Sequence, residues 1–178
     1  MEKATFAAGC FWGVEAAFRQ VEGVTATAVG YEGGHVPNAT YKQVCAGDTG
    51  HAEVVQVEFD PAKVSYDQLL NVFWENHDPT TLNRQGPDVG TQYRSAIFYT
   101  NDEQKHVAEA YIKQLNDAKV FRSPIVTQVA PLEKFYTAEG YHQDYAVRNR
   151  SNPYIVNVSD PKVEKLKKLY PGCVRRKK

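Results

Sequence analysis

Apolar side chains recur along this chain at two periods, and the period switches from segment to segment. "KATFAAG" (3–9), "VTATAVGY" (24–31), "EVVQVEF" (53–59), "SAIFYT" (95–100) and "IVTQVAPL" (125–132) are short apolar or alternating runs of strand character. Between them the spacing becomes helical. Val14, Ala17, Phe18 and Val21 predict a helix over residues 11–20, and Val107, Ala108, Tyr111, Ile112 and Leu115 one over 102–118. Ser65 and Gln68 form a capping box that opens "SYDQLLNVFWENH", with Pro79 just beyond it. Residues 138–148 look helical. In the last helix, "SDPKVEKLKKLY", Pro161 lies near the first turn, Val163, Leu166 and Leu169 make an apolar stripe, and Pro171–Gly172 is the stop.

The mixed β-α-β-β-α order predicts an α+β domain of two layers. Its 178 residues suit one domain, 1–178, with 171–178 a mobile C-terminal tail. Residues 31–50 and 77–94 fit neither period and are rich in Gly, Pro, Asn, Asp, Thr and Tyr. Loops that long in a compact domain are often functional, so the rest of any site is expected there.

Charge narrows the options. Twenty-one basic and 21 acidic residues balance, which gives no support to nucleic acid or an anionic membrane as partner. No apolar run reaches the ~20 residues of a membrane span, and the first ten residues do not resemble a signal peptide. A soluble cytoplasmic protein is expected. Three scattered cysteines, Cys10, Cys45 and Cys173, neither build a disulfide scaffold nor show metal spacing, so no metal or other cofactor is expected.

Cys10 stands in "AAGCFWGVEAAF" where the first helix begins. Free N–H groups there favour an anion, which would lower the thiol pKa and make a nucleophile; a small buried core thiol accounts for the position equally well. Phe11 and Trp12 cannot both face one core. Alternation puts His51, Glu53, Val55, Val57 and Phe59 on one strand face, so Glu53 shares an apolar environment that would raise its pKa into the range of a general acid; a strand-end carboxylate reaching solvent is the alternative. Cys173, beyond a glycine hinge, is either a spare exposed thiol or one able to pair reversibly with a reactive cysteine. Cys45, after Val44, is expected to be buried and inert. His51 reads as a loop-packing residue, His106 as exposed, and His142, near Tyr141 and Tyr145, as a candidate for a pocket edge.

The segments "GCFWG" (9–13), "GYEGGHVPNATYKQVCAGDTGHAEVV" (30–55) and "NHDPTTLNRQGPDVGTQYRSAIF" (76–98) closely resemble the peptide methionine sulfoxide reductase A family, over residues 5 to 150. The resemblance implies a ferredoxin-like α/β plait with long irregular loops. It also implies reduction of methionine S-sulfoxide, free or in proteins, to methionine. Cys10 would be the nucleophile, Glu53 the acid that protonates the sulfoxide oxygen, and Tyr41 and Tyr93 hydrogen-bond donors to that oxygen. Phe11 and Trp12 would hold the terminal methyl group, and Asp88 the substrate backbone. The product on the protein would be a Cys10 sulfenic acid, resolved as a Cys10–Cys173 disulfide and reduced by thioredoxin, in a monomer. The chain departs from the family at residue 155, where some members carry a recycling cysteine and this chain has Ile155, and in a tail with a single cysteine. Direct reduction of the sulfenic acid by an external thiol competes with Cys173. A thiol peroxidase and a non-catalytic binder of oxidised methionine peptides are the alternative functions.

Overall fold

In the computed structural model, which describes residues 1–169, alternation and periodicity become a six-stranded sheet with packing on both faces. β1 (Glu2–Ala8), α1 (Phe11–Arg19), β2 (Val24–Glu32), α2 (Tyr41–Cys45), β3 (Ala52–Phe59) and α3 (Tyr66–Asn76) come first. A small hairpin, β4 (Arg84–Gln85) and β5 (Asp88–Val89), leads into β6 (Ser95–Tyr99), α4 (Asp102–Asp117), β7 (Gln128–Pro131), β8 (Tyr136–Thr137), α5 (Tyr145–Arg148) and α6 (Asp160–Leu169). The main sheet runs β7-β6-β1-β3-β2-β8. Every pairing is antiparallel except β6 with β7. The architecture is mixed α/β.

The central strand β3 shows how the pattern becomes a core. Val55, Val57 and Phe59 join the main cluster with Phe6, Phe11, Phe18, Leu69, Leu70 and Phe73 from β1, α1 and α3. The intervening Ala52 and Val54 pack on the other face with Ala7, Ala96 and Phe98, under Leu132 and Phe135. Alternation therefore holds, with both faces covered. Phe6 stacks between Phe18 and Phe73, at 5.1 and 5.3 Å between ring centroids, and is fully buried. Phe6→Ala is expected to cost about 3–5 kcal/mol, because the surrounding rings cannot close the void. A large drop in urea midpoint at constant m-value checks this.

Local signals set the ends. Ser65 and Gln68 form the expected capping box of α3, and Thr40 with Gln43 forms a second one that starts α2 inside the segment that fitted neither period. His51 does pack a loop: Gly34 N–H donates to its Nδ1 (2.9 Å) and Nε2 lies 2.7 Å from the Val36 carbonyl. His106 is exposed.

Three expectations need correction. The strand read over 125–132 spans only Gln128–Pro131, and β8 is an additional short strand. The helix expected over 138–148 is broken into a tight turn at Gly140–His142 and the four-residue α5. The break is Asp144, whose backbone is left-handed (φ 56°) while its N–H donates to buried Glu15 Oε1 at 2.7 Å and its carboxylate pairs with Arg19. That tertiary anchoring outweighs helix propensity. Cys45 is exposed, not buried. The five-residue α2 turns Val44 inward and leaves Cys45 at its outer end. Among the described residues no helix is long and apolar enough to cross a membrane. Cys173, the Pro171–Gly172 stop and the tail 171–178 lie outside the described residues.

Candidate active site

The site begins where β1 ends. Gly9, at φ +93°, turns the chain from strand into helix in a conformation that an L side chain rarely adopts. A Cβ on Gly9 would lie 2.7 Å from Cγ of Gln85, so the β4–β5 hairpin seats directly against this turn. Gln85 in turn locks the hairpin base, accepting from Asp78 N–H (3.0 Å) and donating to the Asp78 carbonyl (2.9 Å).

Cys10 is the N-cap of α1 and makes no side-chain capping bond. It is 7% exposed. The sequence reading expected a lowered pKa from the helix N-terminus; the structure reverses this. Burial pushes the thiol well above its ordinary value, and the nearby Glu53 and Asp88 carboxylates push it further. The Trp12 N–H and the Tyr154 hydroxyl favour the thiolate but do not outweigh those effects. Cys10 therefore rests as a neutral thiol.

Glu53 reaches the same point from β3, where it lies opposite Tyr31 of β2. It is 1% exposed, and its Oε1 accepts the Phe11 N–H at 3.2 Å, in the first turn of α1. Burial raises its pKa to about 8, opposed in part by the Phe11 N–H and helped by Asp88. Its Oε2 is buried without a hydrogen-bond partner. A protonated carboxyl with one free oxygen, next to a thiol, is a proton donor awaiting an acceptor.

Tyr41 is the first residue of α2, and Tyr93 ends the turn Thr91–Tyr93. Both phenols are raised above their ordinary pKa, first by burial and then by Glu53, so both are neutral donors at physiological pH. The Cys45 thiol lies beside both phenols, and Gln92 Nε2 donates to the Cys45 carbonyl at 3.3 Å, which ties α2 to the Tyr93 turn.

The adjacent aromatics divide as the sequence required. Phe11 is fully buried, while half-buried Trp12 builds a box. Its Nε1–H donates to His142 Nδ1 at 3.0 Å, its ring stacks on Tyr145 at 3.9 Å, and Tyr154 meets it edge-on at 5.8 Å. Phe11 closes the box at 5.2 Å from His142. His142 is fully buried, deeper than a pocket edge, and burial lowers its pKa, so it is neutral. Asp88 on β5 accepts a hydrogen bond from the Tyr154 hydroxyl, which also lies within hydrogen-bonding reach of Cys10.

Cys10, Phe11, Trp12, Tyr41, Glu53, Asp88 and Tyr93 thus converge from α1, α2, β3, β5 and one tight turn. Tyr154 and Glu139 escaped the sequence reading. Tyr154 sits in "NPYIVNV", where an aromatic among apolar residues looks like core, and Glu139 sits in a segment read as helix.

A neutral thiol, a protonated carboxyl, neutral phenols and an aromatic box form the apparatus of a cysteine-dependent oxidoreductase. Known proteins narrow the class. A family model described as "Peptide methionine sulfoxide reductase" matches residues 2–172. The chain is 66% identical over 145 residues to a peptide methionine sulfoxide reductase MsrA of Methanosarcina acetivorans, covering 82% of this chain and 77% of that protein. It is similar to Mxr1 of Saccharomyces cerevisiae in reduced form, with TM-score 0.78 and 38% identity over 85% of this chain and 87% of the yeast chain. It also resembles Mxr1 in complex with Trx2, with TM-score 0.55 and 26% identity over 81% and 84% of the two chains. The chain belongs to the peptide methionine sulfoxide reductase family, and it is an enzyme that reduces methionine sulfoxide.

Proposed function

We propose that this chain reduces the S epimer of methionine sulfoxide by attack of Cys10 on sulfur while Glu53 gives its proton to oxygen. The observation that carries the reading is Glu53: buried, protonated to about pH 8, bonded through one oxygen to the helix that begins with Cys10, and free at the other. A sulfoxide oxygen is a poor leaving group until it is protonated. Tyr41 and Tyr93 donate to it as neutral phenols and add no buried charge. Phe11 and Trp12 hold the methyl group, with His142 and Tyr145 behind them, and Asp88 takes the substrate backbone. With oxygen and methyl assigned to separate places, only one epimer turns its sulfur toward Cys10.

The step balances: thiol plus sulfoxide gives thioether plus Cys10 sulfenic acid. Cys173 then condenses with the sulfenic acid, forming a disulfide and releasing water, and a thioredoxin-type dithiol reduces it. The yeast relative's complex with Trx2 supports that reductant. The β6-β1-β3-β2 order, with α1 and α3 packed on one face, supports a ferredoxin-like plait. We read residues 1–178 as one catalytic domain, acting as a cytoplasmic monomer.

The test is a count. Reduced protein is mixed with excess S-epimer peptide and no reductant. Wild type should form about one methionine per chain and lose two thiols. Cys173→Ser should form the same one methionine and retain a trappable sulfenic acid. Equal thiol loss in both proteins would remove Cys173 from the cycle.

A further inference from the structure

The stereochemical argument needs the oxygen site and the methyl box to hold a fixed relation, yet they are built on separate elements. Tyr41 belongs to α2, a helix of five residues, too short to hold its own place. Phe11 and Trp12 belong to α1. One side chain bonds α2 directly, reaches the box through its neighbours Tyr31, Tyr141 and His142, and has no part in the chemistry proposed above.

Glu139 follows β8 and immediately precedes the turn that carries His142. Its Oε2 accepts the Tyr41 backbone N–H at 3.2 Å, one of the free donors in the first turn of α2. The same oxygen accepts the Tyr141 hydroxyl at 3.2 Å, and the Tyr141 ring lies 4.0 Å from the His142 ring. Its Oε1 accepts the Tyr31 hydroxyl at 3.1 Å, and Tyr31 packs on Phe11 at 5.8 Å. Finally, Oε2 faces His142 Nε2 at 3.8 Å. Because His142 Nδ1 accepts from Trp12, the proton of the neutral ring sits on Nε2, on the side that faces this carboxylate. Burial opposes its charge, but the amide and phenol donors outweigh that and keep its pKa below the ordinary value.

We infer that Glu139 is a positioning residue for the reduction: its carboxylate joins the N-terminus of α2, and so the Tyr41 phenol, to the Phe11–Trp12–His142 box, and thereby fixes where the sulfoxide oxygen stands relative to its methyl group. The inference rests on the roles proposed for Tyr41, Phe11 and Trp12. Glu139 donates no proton and touches no reacting atom. It acts through distance, and a displacement of about 1 Å at a reacting centre costs up to about a hundredfold in rate.

The experiment is rapid-quench single turnover with S-epimer peptide and no reductant, on wild type, Glu139→Ala and Glu139→Gln. The amplitude counts competent chains, and the rate constant reports positioning. Glu139→Ala should keep an amplitude near one methionine per chain while the rate constant falls about tenfold. Glu139→Gln should recover to within about threefold, because its carbonyl can accept from Tyr41 and Tyr141 while the Tyr31 hydroxyl turns to accept from its amide. A Glu139→Ala rate equal to wild type overturns the inference, as does a fall in amplitude alone, which marks a purely structural role. A glutamine variant as slow as the alanine variant also overturns it, since the hydrogen bonds would then not be what positions Tyr41. Wild type forming no methionine is a different failure, that of the proposed reaction itself.

Discussion

Glu53→Gln is expected to lower the rate of methionine formation by about 10²–10⁴, the usual contribution of a positioned general acid, with Phe11 N–H still bonded to the amide oxygen. Wild-type activity should fall as pH rises through about 8, where the carboxyl loses the proton it must donate, and the residual activity of the variant should not follow that titration. Stability gives an independent readout. The folded-state pKa of about 8 lies above the ordinary 4.5, so the folded protein holds a proton that the unfolded chain releases. Stability from this group is therefore fully present below pH 4.5 and is lost as pH rises to about 8. Each unit of difference is worth 1.36 kcal/mol, so wild type should lose roughly 4 kcal/mol relative to Glu53→Gln between pH 5 and pH 9. Thermal unfolding of both proteins across that range checks it. Parallel stability curves would show that the carboxyl is not held protonated, and the proton-donor role would go with it.

Cys10→Ser is expected to abolish methionine formation while leaving the site able to bind. A serine hydroxyl at neutral pH has neither the thiol's nucleophilicity nor sulfur's capacity to take up the oxygen as a sulfenic acid. The exchange removes no packing volume of consequence, because Cys10 lies at a helix cap among polar groups. The aromatic box, the two phenols and Asp88 remain. S-epimer peptide at about a hundred times its dissociation constant should then stabilise the variant by about 2.7 kcal/mol, seen as a rise in Tm that requires ligand. Methionine formation by this variant would move the nucleophile elsewhere. Loss of the ligand-dependent rise, with the fold intact, would show that the thiol also makes a binding contact.

Most strands and helices were legible because each carries its own period and punctuation. Ser65–Gln68 marks the start of α3 in the sequence and in the structure alike. Alternation placed Glu53 on the face of Val55, Val57 and Phe59, but only the structure chose burial over a strand-end carboxylate reaching solvent. The broken segment at 138–148 was not, because the deciding partners of Asp144, Glu15 and Arg19, lie more than a hundred residues away. Nor was the exposure of Cys45, which depends on which way a single helical turn faces.

By itself, the sequence determined the main strands and helices, the position of Cys10 at a helix start and the strand face that Glu53 shares with Val55, Val57 and Phe59. These follow from periods of 2 and 3.6, which are local properties of the backbone. Only the tertiary structure decided the charge state of Cys10. The helix N-terminus that lowers a thiol pKa is local, whereas the burial and the Glu53 and Asp88 charges that raise it come from β3 and the β4–β5 hairpin. It alone brought Tyr154 to Asp88 and Glu139 to Tyr41, across 66 and 98 residues of chain. Such contacts leave no periodic trace in the sequence, because they are made by single side chains in loops, whose spacing carries no information about where the chain returns.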